Sequence, residues 1–160
     1  MHPPVLAPLV LASASPRRRD LLAQIGVIPA AILPAEIDQA RRPREMPRQL
    51  AGRLSAAKPA LVAQQKPEAL ILAADTVVAL GRRILPKAED EGEVRRCLAL
   101  LSGRRHRVMT GLTLRHADGR ATSRLVETVV KFKRLSAAEI DGYAACGEGV
   151  GKAGGYAIHG

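Results

Sequence analysis

Leu9-Val-Leu-Ala-Ser-Ala-Ser-Pro-Arg-Arg-Arg-Asp20 is the stretch on which the fold turns. The apolar run Leu9 to Ala12 suits a buried strand. Ser15 then stands where a helix N-cap belongs, with Pro16 at the first helical position, where a missing N–H costs nothing. Leu21, Leu22 and Ile25 supply an apolar stripe, and Gly26 supplies the stop. A strand that runs into a helix start leaves N–H groups aimed at one spot, and the helix dipole makes that spot attractive to anions. Arg17, Arg18 and Arg19 put positive charge in the first turn, against the dipole preference. Such placement suggests a negative partner. A solvated basic face on an ordinary helix is the competing reading.

Outward from that stretch, helices and strands alternate. Ile28 to Leu33 reads as a short second strand, and Pro34 to Pro47 as a polar loop containing Glu36, Asp38 and Gln39. A helix is expected from about Arg48 to Gln65, with Leu50, Leu54, Ala57 and Leu61 on one face. Pro59 should kink it or divide it. Leu70 to Ala74 suits a strand covered on both faces and ending at Asp75-Thr76. Val77 to Leu80 and Arg83 to Leu85 then form a hairpin about Gly81. Glu89, Asp90 and Glu91 open a helix that carries Val94, Cys97, Leu98 and Leu101 and stops at Gly103. Arg107 to Arg115 and Arg120 to Lys133 flank Asp118-Gly119, a hairpin turn. In the second of these, Val126, Thr128, Val130 and Phe132 share a face. Ser136 with Glu139 makes a capping box for a helix ending near Gly147. The fold class expected is α/β, with a mixed twisted sheet flanked by helices.

Composition narrows the function. A chain of 160 residues reads as one domain, 1–160, long enough to bury about 70% of its unfolded surface. The apolar share is 47% with only 2% aromatic, so Leu, Val, Ile and Ala must build the core. The formal charge of +10 argues for polyanionic partners such as phosphates or nucleotides. Nucleic acid is disfavoured, because with no Trp, one Phe and two Tyr there is little on which bases could stack. Two cysteines without metal-ligand spacing, Cys97 and Cys146, fit a reduced cytoplasmic protein and read as inert. Pro3, Pro4 and Pro8 and the missing basic start argue against a signal peptide. No window has the apolar length of a membrane span.

Asp75 is the most informative single residue. A carboxylate at the end of a buried strand could hold Mg²⁺ beside phosphate or orient an attacking water. A turn-forming Asp satisfied by backbone N–H groups is the competing reading, and spacing alone slightly favours it. Lys58 and Lys87 could neutralise phosphate oxygens or could simply be solvated. Glu36, Asp38, Glu89, Asp90 and Glu91 could ligate metal, although helix N-terminal stabilisation suits the last three better. Ser13 and Ser15 lack His-Asp partners, and the four histidines have no zinc spacing. Nothing resembles a Walker loop or a dinucleotide fingerprint.

Four stretches taken together resemble the Maf family of nucleoside triphosphate pyrophosphatases, also called septum formation inhibitors. They are Leu11-Ala-Ser-Ala-Ser-Pro-Arg-Arg18, Ala73-Ala-Asp-Thr-Val-Val78, Leu101-Ser-Gly-Arg104 and Lys152-Ala-Gly-Gly-Tyr-Ala-Ile158. The resemblance covers almost the whole chain. It implies a fold like that of the inosine triphosphate pyrophosphatases, with two lobes around a cleft. It implies cleavage of a nucleoside triphosphate to monophosphate and pyrophosphate with Mg²⁺ or Mn²⁺, and it makes a homodimer one possible assembly, since the family is often dimeric. By motif, Asp75 corresponds to the catalytic acid and metal ligand, and Lys58 and Lys87 to catalytic lysines of the cleft. Ser13, Arg17 and Arg18 correspond to phosphate-binding residues. Arg17, Thr76 and His159 fall where base specificity is set, and the first two resemble the dTTP/UTP branch.

Three positions depart from the family pattern. Gln39 stands where a second acid is usual and brings no negative charge to a metal. His159 replaces a usual Gln, and Pro59 follows Lys58 where Ala is usual. The family also continues beyond Gly160, and a strand missing there would expose a sheet edge. The expectation is therefore the family fold with reduced activity. The alternative is a basic nucleotide- or nucleic-acid-binding protein that keeps the fold without the chemistry.

Overall fold

A computed structural model describes residues 8–13, 15–35 and 37–157. Its elements run β1 (Leu9–Leu11), α1 (Pro16–Gln24), β2 (Ala31–Ile32), α2 (Pro47–Ala63), β3 (Leu70–Leu80), β4 (Arg83–Leu85), α3 (Glu91–Leu101), β5 (Arg105–Arg115), β6 (Ala121–Lys131) and α4 (Ala137–Ala145). One six-stranded sheet has the order β2-β1-β3-β5-β6, with β4 paired to β3. β1 is parallel to both β2 and β3, whereas β4 is antiparallel to β3. The sheet is thus mixed, as the alternation of elements predicts. Contacts divide the chain into two compact units: Met1–Arg42, Gly52–Asp75 and Gly111–Leu125 in the first, Pro43–Ala51, Thr76–Thr110 and Val126–Gly160 in the second.

The first unit packs Val10, Ala12, Val62, Ala69, Ile71 and Ala73, a core of small and β-branched side chains. The second packs Val78, Leu85, Cys97 and Leu101 in one cluster and Ala88, Val94, Leu98 and Ala144 in another. The signals for α3 and α4 translate directly into structure. Asp90 caps α3, its carboxylate accepting from the Glu93 N–H at 2.8 Å. Ser136 and Glu139 form both bonds of a capping box on α4. Cys97 is buried and Cys146 exposed, both as free thiols.

Several expectations are corrected. Ser15 is the N-cap of α1 by position, but its side chain makes no capping bond. The apolar stripe of α1 is not covered: Leu21 is 59% and Ile25 73% exposed, and the helix buries no residue. Periodicity specifies which face is apolar, not whether anything lies on it. β2 is only two residues long, and Ile28 before it is exposed. α2 is not divided, since it runs through Pro59, whose ring is fully buried. The ring forfeits one helical hydrogen bond, and burial of its apolar surface offsets that loss. The buried face of α2 also differs, with Lys58 and Val62 inside and Leu61 at its margin, 38% exposed. β3 does not end at Asp75. It continues to Leu80, because Thr76, Val77 and Val78 extend a β-branched alternation and the carboxylate finds a partner where it stands. In β6, Val126 and Val129 point to opposite faces and both are about half exposed, so neither face is a core face.

His106 on β5 is 2% exposed, in the second unit. Its Nε2 lies 2.5 Å from the Tyr156 hydroxyl, and Phe132 and Tyr156 meet the ring edge-on. Burial holds the imidazole pKa below its ordinary value, and burial pushes Tyr156 up to about 12. Nδ1 has no hydrogen-bond partner among the described residues, so a second proton there would be an unpaired buried donor. The unfolded chain takes up that proton near the ordinary value of about 6.5, before the folded chain does. Stability is therefore complete above that value and falls as the pH drops through it toward the lower folded pKa. Urea midpoints taken at a series of pH values should show this loss, and His106→Leu should flatten it.

Candidate active site

Asp75 sits in the interior of β3 and is 3% exposed, whereas Lys58, on the buried face of α2, is 6% exposed. The Lys58 ammonium donates to Asp75 Oδ1 at 2.7 Å and to the Ala74 carbonyl at 3.2 Å. Two opposite charges removed from water at this distance depend on each other, and neither can be left behind cheaply. Lysine is suited to the place because its four-carbon stem packs along the apolar face of α2 while its head reaches the carboxylate.

The loop after β1 brings in two further candidate residues, Ser13 and Arg18. Ser13, 4% exposed, accepts at Oγ from the Ser15 N–H and from Arg18 Nη1, each at 3.1 Å. The sequence reason lies in the strand-to-helix turn: Pro16 starts α1 at once, so Arg18 comes back over the loop within its first turn. Burial lowers the Arg18 pKa from its ordinary value; the Asp75 carboxylate opposes that shift and the Arg17 charge adds to it. Arg18 therefore lies within the field of Asp75. Arg17 and Arg19 are exposed.

Of the residues predicted for the site, Ser13, Arg18, Lys58 and Asp75 are thus brought together in the first unit. Thr76 follows Asp75 on the strand and so emerges on the opposite face, where its hydroxyl bonds that of Thr110 at 3.0 Å. Lys87 is exposed and forms a bridge with Ala153 in the second unit. That bridge belongs to a backbone pairing in which Ala88 N–H donates to Lys152 and Gly154 N–H to Pro86. Gly154 has φ +73, and a Cβ there would press on the Val78 side chain at 2.9 Å, so the glycine of this motif is required twice over. His159 and Glu36 lie outside the described residues. Gln39 is exposed. Asp90 and Glu91 serve α3, the first as its cap and the second in an ion pair with Arg95.

Comparison with known proteins agrees with the motif order. The family of Maf-like proteins matches residues 8–160. The chain belongs to that family. A Maf relative from Caulobacter vibrioides, named dTTP/UTP pyrophosphatase, is 60% identical over 152 residues, covering 95% of this chain and 79% of the relative. A second, from Paramagnetospirillum magneticum and of the same name, is 59% identical over 97% of this chain and 82% of its own length. Among solved structures, a nucleoside-triphosphatase described as a dITP/XTP pyrophosphatase, from Mycobacterium abscessus, aligns with 81% of this chain and 76% of its own. Its identity is 16% and its TM-score 0.47.

Sequence reasoning on the Maf motifs found Lys58 and Asp75 separately and missed that they form a pair. It also missed Ser55 and Thr113, both buried and bonded to each other through their hydroxyls. The available signal was spacing. Ser55 and Lys58 stand three residues apart in α2, on one helical face, between apolar neighbours.

As to a metal, no group of three or more His, Cys, Asp or Glu residues that could hold one occurs among the described residues. Mg²⁺ is usually held by one or two carboxylates together with substrate phosphates and water. Asp75, whose Oδ1 is engaged by Lys58, supplies one carboxylate, and one carboxylate is a donor set that fits such a phosphate-shared ion.

Proposed function

We propose that this chain hydrolyses dTTP and UTP to the nucleoside monophosphate and pyrophosphate. The observation that carries the reading is the family match together with relatives 60% and 59% identical, of which this chain covers 79% and 82%, that bear that activity in their names. The buried Lys58–Asp75 pair beside Ser13 and Arg18 supports it chemically. Arg18 and the N–H groups at the start of α1 meet the phosphate oxygens; the Ser13 hydroxyl fixes where Arg18 can reach. Lys58 holds the Asp75 carboxylate in one orientation. Asp75 orients the water whose oxygen bonds to the α-phosphorus while the bond from that phosphorus to the α–β bridging oxygen breaks. Pyrophosphate leaves with that oxygen. A divalent ion, Mg²⁺ or Mn²⁺, held by Asp75 would offset phosphate charge. The work of the protein is positioning and electrostatics.

Arg17 belongs to this proposal as a base-selecting residue; Thr76 and Lys87 stand in the second unit and are given no part in it. A cytoplasmic location and a homodimer are further parts of it. No helix among the described residues is long and apolar enough to cross a membrane.

A nucleotide panel assayed for pyrophosphate release with Mg²⁺ or Mn²⁺ tests the reading, with dTTP and UTP expected to lead. In the same panel Arg18→Ala should raise KM for dTTP by about 10- to 100-fold, the loss of one charge-assisted phosphate contact of roughly 1.5–3 kcal/mol. An unchanged KM would remove Arg18 from the phosphate site. Gln39→Glu should raise turnover; no gain would show that Gln39 is not what limits activity.

A further inference from the structure

We infer that Thr113 is a positioning residue for the Lys58–Asp75 pair, acting through helix α2. Its turnover arm rests on the pyrophosphatase reading. Ser55 and Thr113 are 0% and 1% exposed, and with Ser123 they form a chain of hydroxyls across the first unit. Ser55 Oγ lies 2.9 Å from the Gly52 carbonyl and 3.0 Å from Thr113 Oγ1, and Thr113 Oγ1 lies 2.9 Å from Ser123 Oγ. The direction of the chain is fixed. A carbonyl only accepts, so Ser55 gives its single proton to Gly52; Thr113 must then donate to Ser55, and Ser123 to Thr113.

This chain ends on the same helix face as Lys58, three residues before it. The neighbouring buried side chains of that face in the first unit, Leu54, Pro59 and Val62, are apolar. Apolar contact is non-directional, so it lets a helix slide or roll over a sheet at small cost. Hydrogen bonds are directional. Two buried polar points therefore set where that face of α2 stands, beside an exposed bond from Arg53 Nη2 to the Ala40 carbonyl at 3.0 Å: Ser55 on Thr113 of β5, and Lys58 on Asp75 of β3, the strand beside β5. With the first point gone, the second is the buried polar hold that remains on that face, and the ammonium loses its fixed place against the carboxylate. Ser55 Oγ would also keep a buried lone pair without a donor, which favours movement.

The test compares Thr113→Val, which keeps the shape, with Thr113→Ser, which keeps the hydroxyl. Saturating dTTP gives kcat, and the ¹H–¹⁵N signal of the Lys58 ammonium gives a readout that needs no turnover. Thr113→Val should lower kcat by about 10- to 100-fold, as an ångström-scale misplacement does, with KM within about twofold. Its Lys58 signal should broaden or vanish through faster exchange with water, and Thr113→Ser should restore both. Leu101→Ala, in the core of the second unit, should lower thermal stability but leave kcat and the signal unchanged. If Thr113→Val does not fold, Ser55→Ala carries the same two readouts. An unaltered kcat and Lys58 signal in the folded variant overturns the inference, as does Thr113→Ser behaving like Thr113→Val. Equal loss in Leu101→Ala would show a general stability effect and overturn it too. If the wild-type chain has no turnover on dTTP or UTP, the function is wrong, and the ammonium signal alone decides the role of Thr113.

Discussion

Lys58→Met should destabilise the folded chain by about 3–5 kcal/mol, far more than an ordinary surface substitution. The reason is what remains. Asp75, 3% exposed, would keep a buried carboxylate from which its ammonium partner at 2.7 Å had been taken away. Met fills nearly the volume of the lysine stem, so the loss measures the orphaned charge rather than a cavity. The double variant Lys58→Met/Asp75→Leu should recover most of the stability, since a matched apolar pair in place of a buried ion pair is often neutral or better. Urea unfolding of the four proteins closes the cycle. A loss below about 1 kcal/mol in Lys58→Met would mean that the pair behaves like a solvent-exposed bridge.

Asp75→Asn should lower pyrophosphate release by about 10²- to 10⁴-fold, the range associated with a positioned acid or base. The amide keeps the shape of the carboxylate but cannot supply its charge, either to an ion or to an attacking water. On the proposed reading Arg18 and the start of α1 hold the phosphates, so the affinity for nucleotide should survive. That outcome also separates the enzyme from the alternative of a basic binding protein, in which turnover would be absent before the substitution as well as after it. A steep fall of binding to random DNA with added salt would favour the nucleic-acid form of that alternative.

The elements announced by local chemistry were legible in the sequence. Asp90 and Ser136 sit before helices with an acid three residues on, Pro16 opens α1, and Gly26 and Gly103 close helices with φ of +78 and +69. What could not be read depends on partners distant in the chain. Nothing near Asp75 says that β3 will run through it, because the residue that makes a strand interior acceptable to a carboxylate lies 17 positions away. Nothing near Pro59 says that its ring will be buried tightly enough for α2 to continue. The exposed faces of Leu21 and Ile25 on α1 show the converse, an apolar period without a cover. For the site, the motif stretches located Ser13, Arg18 and Asp75 one at a time, and the family resemblance added Lys58. Their pairing, and the Ser55–Thr113 contact beside it, required the side chains to be seen in place.

The claim at the centre of this account is that a carboxylate on β3, held by a lysine on α2, directs water to the α-phosphorus of a pyrimidine nucleoside triphosphate. The direct test is hydrolysis of dTTP and UTP in ¹⁸O-labelled water with Mg²⁺ or Mn²⁺, wild type beside Asp75→Asn, with the products resolved by mass. The account predicts monophosphate and pyrophosphate in equal amounts, the label in the monophosphate, and near-complete loss in Asp75→Asn. Label in the pyrophosphate, release of orthophosphate, or equal turnover in the two proteins would contradict it.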